Sequence, residues 1–413
     1  MATKDFKNSQ TRKRLDGSNA VGPYIDGFTA ELQQAGYRDS TICECLCAAT
    51  HLGCWLEAEG GAVQDLSEDA LEAFAQHFPC DCFARKRVGY ASVIGKARHF
   101  LGYLRRLGVV ASGEDRQPLP GLPVVEGFVH WMRMHRGLQD STLRGYRHVV
   151  IDLLQTIGGD PGQFHVRDLR AFVLGRAKRQ TSTPKSLISA VRMFLRYLIA
   201  EGRCASGLDD GIPSIAQWRL SALPRYLPAS DVERVVEACD PATPVGCRDR
   251  AVVLLLARLA LRASDVVQLR LGDIDWERGT LLASGKGRRA VCLPLLQDVG
   301  DALLQYIECV RPPVKVDQVF VRSRAPLRPL SGADAVCAIV AAAIRRAGVK
   351  APSRGAHVLR HSLATEMLRQ GASLQEIGSL LRHRSIETTT LYAKVDIHAL
   401  QAIAQPWPEA LPC

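Results

Sequence analysis

The sequence predicts a mainly α-helical chain: two tandem helical bundles, then a mixed, mostly helical block with a small antiparallel β-sheet. Three observations lead there. The 413 residues are too many for one compact helical core. Pro/Gly-rich stretches at Ala111–Pro123 and Ala205–Pro228 divide the chain into three blocks. The first two blocks read as helical, and only the third changes period, over Leu271–Pro294. The expected domains are therefore 1–118, 119–215 and 216–413.

The first two blocks repeat one another in order. Gly36-Tyr-Arg-Asp-Ser-Thr41 is echoed by Gly137-Leu-Gln-Asp-Ser-Thr142, each ahead of a helical pattern. Leu71-Glu-Ala-Phe74 matches Leu169-Arg-Ala-Phe172, and Ala97-Arg-His-Phe-Leu-Gly-Tyr-Leu104 matches Val191-Arg-Met-Phe-Leu-Arg-Tyr-Leu198. Ser40 and Ser141 are expected as helix N-caps, and Gly108 and Gly202 as the glycines that follow equivalent helix ends. Shared caps and leucines occur in any pair of bundles, but three matched patches in one order point to an internal duplication.

In the third block, Leu227-Pro-Ala-Ser-Asp-Val-Glu-Arg234 is expected to open a helix capped by Ser230. Arg250–Val267 reads as one strongly apolar helical stretch. Gly279–Ser284 and Arg289–Pro294 are strand-like, and Gly285-Lys-Gly287 between them is a hairpin turn. Helical patterns return at Ser331.

Charge bounds the partners. The formal net charge is +11, which favours a polyanion, since neutralising phosphates releases their counterions. No segment is apolar and long enough to span a bilayer: the best run, Ala251–Leu261, is short and holds Arg258. The polar, basic Met1–Gly17 carries no secretory signal. Thirteen cysteines without a signal read as reduced thiols in a cytoplasmic protein.

The chemistry-bearing residues lie in the third block. His357-Val-Leu-Arg360 is followed by Leu380-Leu-Arg-His383 and by Tyr392, and preceded by Leu261-Arg-Ala-Ser-Asp265 and the hairpin lysine Lys286. Guanidinium groups suit a phosphodiester under in-line attack, being permanently charged and bidentate, and Arg262 and Arg360 are the candidates. His357 and Arg360, three apart, share one helical face. His383 offers a hydrogen bond to the same phosphate. A tyrosine nucleophile needs a base and a positive field, because its ordinary pKa lies near 10. The leaving 5′-oxygen needs a proton, and Lys286 at a hairpin tip is placed to deliver it. No step calls for a metal or nucleotide.

These residues, in this order, resemble the catalytic domain of the tyrosine recombinases, the phage integrase family. The resemblance spans about residues 122–400. It implies that Arg262 and Arg360 clamp the scissile phosphate, Asp265 braces the site, Lys286 is the general acid, His357 assists proton removal, His383 bonds the phosphate, and Tyr392 forms a 3′-phosphotyrosyl intermediate. It implies a site-specific recombinase that cleaves and rejoins double-stranded DNA, works as a tetramer of itself, serves a mobile element by integration or transposition, and acts alone or beside other recombinases of that element. It also implies that the second helical bundle is a SAM-like DNA-binding module; the first bundle lies outside the resemblance, and only the internal repeat extends that expectation to it. Candidate phosphate contacts are Arg144, Arg147, Lys178, Arg179 and Lys185, with His135 and Arg136, and Arg288 and Arg382 in the third block. Taken singly, each is more often an ordinary solvated side chain. Two other readings stay open: a catalytically silent DNA-binding accessory of the same fold, and a type IB topoisomerase-like relaxing enzyme.

The sequence departs from the family pattern twice. Arg382 stands where a glycine usually precedes the second histidine, and Ala260 stands where a glycine often precedes the first arginine by two positions. Of the two fates for Arg382, a phosphate contact or solvent, solvent is favoured. His361 is expected to point away from the phosphate face and to be structural. Cys43, Cys47, His51 and Cys54 share one helical face, with Cys80 and Cys82 beyond. Their spacing fits no closed zinc site, and buried thiols are the favoured reading. Trp131, Trp218 and Trp276 read as core or linker anchors, and Tyr197 and Tyr306 as core residues rather than nucleophiles. The tail from Asp396 to Pro408 is either a packing arm for a neighbouring subunit or a frayed end.

Overall fold

The computed structural model describes residues 20–78, 90–111, 122–138, 140–179, 184–214, 223–284, 290–383, 385–395 and 400–401. It forms two compact units: Met1–His51 with Ala222–Cys413, and Leu52–Ser221.

Helices come in one order twice. Helices α1 (Gly22–Gln34) and α2 (Asp39–Ala58) precede a single 3-10 turn at Val63–Asp65, then α3 (Glu68–Gln76) and α4 (Tyr90–Arg106). Helices α5 (Leu122–Arg136) and α6 (Asp140–Ile157) precede a 3-10 turn at Pro161–Gln163, then α7 (Val166–Arg179) and α8 (Pro184–Ala200). Helices α4 and α8 end alike. Past each end, Gly108 and Gly202 adopt φ of 71° and 66°. The next amide reaches back five residues, Val109 to the Leu104 carbonyl and Arg203 to that of Leu198. A left-handed residue is required for this closure, which is why glycine sits there. The expected caps shift: α2 and α6 begin at Asp39 and Asp140, so Ser40 and Ser141 lie inside the first turn. An acidic residue at that end suits the positive pole of the helix.

Within the 52–221 unit, the apolar faces of α5–α8 close around Phe128, Leu153, Leu169, Phe194 and Leu198. Phe128 meets Phe194 edge-on at 5.3 Å. Trp131 lies against the Tyr197 ring at 5.9 Å, as expected of an anchor. Before them in the chain, Trp55 packs on Phe74 at 5.6 Å, and Glu68 at the head of α3 holds Arg98 and Arg105 of α4.

In the other unit, α9 (Ala229–Glu237) starts after Pro228 with no side-chain cap, so Ser230 is not the cap; the proline's fixed φ and missing N–H begin the helix instead. The stretch expected as one helix is two. Helix α10 (Pro244–Arg258) stops, the backbone turns left-handed at Ala260 (φ 48°), and α11 (Ala263–Gln268) begins. Apolar content hid this break, since both halves are buried: Leu254, Leu255 and Leu256 before it, Val266 after it. Strands β1 (Ile274–Asp275), β2 (Thr280–Ser284) and β3 (Ala290–Pro294) form the antiparallel sheet in order β1-β2-β3. Ser284 pairs with Ala290, so β2 and β3 are the two arms of the expected hairpin. Its turn, with Lys286 and Arg288, lies outside the described residues.

Helices α12 (Gln297–Gln305) and α13 (Ala333–Arg346) pack on α10 and α11 around a core that includes Tyr306 and Phe320, stacked at 5.4 Å. The remaining helices are α14 (His357–Arg369), α15 (Leu374–Leu380) and α16 (Thr390–Ala393). The chain ahead of α9 is fastened to α14: the Leu227 amide donates to Ser362 Oγ (2.8 Å), and Arg369 donates to the Tyr226 hydroxyl (2.8 Å). Trp276 is exposed in the turn after β1 and anchors no core; Trp218 and Pro406 lie outside the described residues.

Candidate active site

The break between α10 and α11 creates the first element of the site. Because α10 stops at Arg258, Arg262 falls at the start of α11. Its own amide donates to Asp265 Oδ2 at 3.0 Å, so the carboxylate fixes this turn. Arg262 Nη2 then donates to the Arg382 carbonyl at 3.2 Å, which joins α11 to the turn after α15.

Arg360, one turn into α14, is only 6% exposed. Its guanidinium donates to the carbonyls of Ala260 and Leu381. One planar fork thus ties together the α10–α11 break, α14 and the end of α15, a geometry a lysine cannot reproduce. Burial, and then the positive charges of Arg262 and Arg382, lower its pKa to about 10, so it stays cationic at neutral pH.

His357 shares the α14 face with Arg360, and burial ahead of the neighbouring arginines lowers its pKa. His383 follows the α15 turn. Its Nδ1 meets Thr389 Oγ1 at 2.8 Å, and the fully buried Thr389 also accepts the Tyr392 amide through its carbonyl. Gly378 makes this possible: a Cβ there would lie 3.1 Å from Thr389 Oγ1. Tyr392 on α16 is 1% exposed, packed among Ala260, Ala364, Leu368, Ile377 and Leu381. Burial raises its hydroxyl to about 12, against the pull of Arg360.

The structure therefore brings Arg262, Asp265, His357, Arg360, His383 and Tyr392 together from four separate stretches of the chain.

Two outcomes differ from expectation. His361 does not point away: its Nδ1 stands 2.7 Å from the Tyr392 hydroxyl. The signal was its place one turn after His357, and their rings lie 6.3 Å apart. Burial, then His357 and Arg360, push its pKa down to about 4, and His383 falls to about 4 as well, with burial first and Arg360 next. Arg382 does not face solvent: its side chain is 6% exposed and bonds Asp265. The left-handed backbone there (φ 50°) turns it inward. Ala260 and Arg382 are the non-glycine residues with positive φ among the described residues, a conformation that favours glycine.

Of the candidate phosphate contacts, Arg144, Lys185 and Arg136 are exposed, and Arg147 is held by Glu126 at 2.9 Å. Lys178 and Arg179 end α7. His135 packs beside Trp131. On α2, Cys54 is exposed, Cys43 and Cys47 are half-buried and His51 is buried; Cys80 and Cys82 lie outside the described residues. Among the described residues no helix is long and apolar enough to cross a membrane.

Comparison with known proteins shows the family of the chain. Residues 225–398 match the phage integrase family. The chain is 36% identical, over 98% of its length and 99% of the relative's, to y4rA, a candidate integrase/recombinase of Sinorhizobium fredii. It is 28% identical to the tyrosine recombinase XerD of Listeria innocua, over 66% of this chain and 94% of that protein. The crystal structure of the XerH site-specific recombinase bound to palindromic difH substrate shares the fold, with a TM-score of 0.52 at 20% identity over 98% of this chain and 99% of that one. With the matched segment enclosing every residue of the site and a relative aligned from end to end, this chain belongs to the phage integrase family of tyrosine recombinases.

Proposed function

We propose that this tyrosine recombinase is catalytically active and uses Tyr392 to cleave and rejoin double-stranded DNA at specific sites. The observation that carries this is the Tyr392 hydroxyl held at 2.7 Å from a neutral imidazole, beside the buried guanidinium of Arg360.

In the first step the Tyr392 oxygen attacks the scissile phosphorus, an O–P bond forms, and the P–O5′ bond breaks. The tyrosine proton leaves to His361 Nδ1 or His357, and the 5′-oxygen takes a proton from Lys286. Arg262 and Arg360 stabilise the charge that grows on the non-bridging oxygens, and His383 donates to the same group. Asp265 braces the Arg262 turn. A bound phosphate also brings negative charge next to the histidines, which raises their basicity when a base is needed. Reversal, with a second 5′-hydroxyl as nucleophile, rejoins strands.

Recombination of two sites needs four cleavages, so the working state we infer is a tetramer of this chain on DNA. The repeated helix order of α1–α4 and α5–α8, with its 3-10 turn in the same place, supports two duplicated DNA-binding modules. Arg144, Arg147, Lys178, Arg179 and Lys185 are the proposed phosphate contacts of the second module, and Arg288 one of the catalytic block. The biological role we infer is movement of a mobile element in the cytoplasm, alone or with companion recombinases.

The test is a nicked suicide duplex built from a DNA site the chain selects out of a random-sequence library. The unaltered chain is expected to form a covalent protein–DNA adduct, and Tyr392→Phe none. Binding without adduct on such DNA would favour a silent accessory, and relaxation of plasmid without site preference a topoisomerase.

A further inference from the structure

Arg382 occupies a position that glycine would fill without strain, yet its side chain is drawn inward and buried. It belongs to a closed ring of contacts. Asp265 Oδ2 accepts from the Arg262 amide and from the Arg382 guanidinium, and the Arg382 carbonyl accepts from Arg262 Nη2. Only one of the three guanidinium nitrogens is used, Nη2: Arg382 Nε and Nη1 are buried with no hydrogen-bond partner. A buried donor left unmet is unfavourable, and such groups in native proteins are rare unless a ligand completes them. The surroundings say which ligand. Three guanidiniums, Arg262, Arg360 and Arg382, lie close enough to act on one another, and Asp265 is the carboxylate bonded among them, so the cluster carries excess positive charge. An anion with several acceptor oxygens satisfies both the charge and the donors.

We propose that Arg382 is a third phosphate-binding guanidinium of the active site, tethered through Nη2 by Asp265, with its remaining donors left for the non-bridging oxygens of the scissile phosphate. The inference rests on the recombinase reading above. It assigns Asp265 a second task, to hold this cation as well as to brace Arg262. It also accounts for a large residue at a left-handed position beside His383: the side chain reaches back across the α15 turn, and the turn itself delivers it.

The experiment compares adduct formation on two suicide duplexes of the selected site, one with the natural phosphodiester and one with an uncharged methylphosphonate at the scissile position. Arg382→Gly removes the cation and relaxes the backbone, and Arg382→Lys keeps the charge. On the phosphodiester, Arg382→Gly is expected to slow adduct formation on the order of a hundredfold, and Arg382→Lys less. On the methylphosphonate, where there is no non-bridging charge to neutralise, Arg382→Gly is expected to come within a few-fold of the unaltered chain. A purely bracing Arg382 would slow both substrates equally, and that result, or no slowing at all, overturns the proposal. A second readout needs no DNA site: binding of inorganic phosphate at low salt is expected to weaken about tenfold in Arg382→Gly, and unchanged affinity in a variant with normal thermal unfolding also overturns it. The unaltered chain and Tyr392→Phe on the phosphodiester read the recombinase chemistry itself, separately from the Arg382 arms.

Discussion

The hydroxyl of Tyr392 and Nδ1 of His361 stand 2.7 Å apart, inside a site where the imidazole is neutral and the phenol protonated. That pairing orients the nucleophile before any DNA arrives. If the phenol donates to Nδ1, the same contact is the path by which its proton departs.

Replacing His361 separates orientation from binding. His361→Ala is expected to lower the rate of adduct formation about a hundredfold, with DNA affinity changed less than about twofold, because the ring nitrogen facing the site is engaged by the Tyr392 hydroxyl. The remaining rate should rise more steeply with pH above 8 than that of the unaltered chain, since attack then depends on prior ionisation of a phenol held near 12. Single-turnover cleavage measured from pH 6 to 10 reads this. An unchanged rate and profile would remove His361 from the mechanism.

The depressed histidines also tie stability to acidity. His361 and His383 titrate near 4 in the folded chain against 6.5 for the ordinary side chain. Between those values the unfolded state binds more protons, so stability falls as pH drops from about 6.5 toward 4. Urea unfolding across that window is expected to show a shallower pH slope in His361→Gln and His383→Gln than in the unaltered chain.

Arg360→Lys keeps a positive charge but loses the fork that reaches Ala260 and Leu381. The expected result is a drop in adduct formation of about a hundredfold or more together with a lower unfolding temperature. A charge-only role for Arg360 would leave the unfolding temperature unchanged.

Away from the site, Asp249 is buried between Arg248 at 2.7 Å and Arg346 at 3.2 Å. Asp249→Ala removes the acceptor those cations share, while Arg248 keeps Ser323 and Arg346 keeps the Ala238 carbonyl, and is expected to cost about 2 kcal/mol in urea unfolding.

Order and spacing made Arg262, His357, Arg360, His383 and Tyr392 readable in the sequence, because each chemical group sits in a local pattern: a histidine and arginine three apart, a tyrosine nine residues after a histidine. The β2–β3 hairpin was readable for the same reason, as a change of period around glycines. What could not be read depends on the backbone leaving its regular course. The α10–α11 break interrupts an unbroken apolar run, since burial on both sides demands the same residues whether or not the helix continues. The inward turn of Arg382 follows from one left-handed residue, and an arginine in a surface-like motif gives no sign of it. His361 was misjudged because its partner lies thirty-one residues away and meets it only once α16 folds back onto α14.

The fork of Arg360 has a further consequence for how this chain can change over time. The group proposed to hold the phosphate is also a rivet through three segments, so a lineage cannot discard it and keep the site's shape. Tyr392 and His361 carry no such double duty through their polar atoms. A descendant that still occupies DNA but no longer cuts it would be expected to have drifted first at those two positions, leaving Arg360 in place as a relic of the lost reaction.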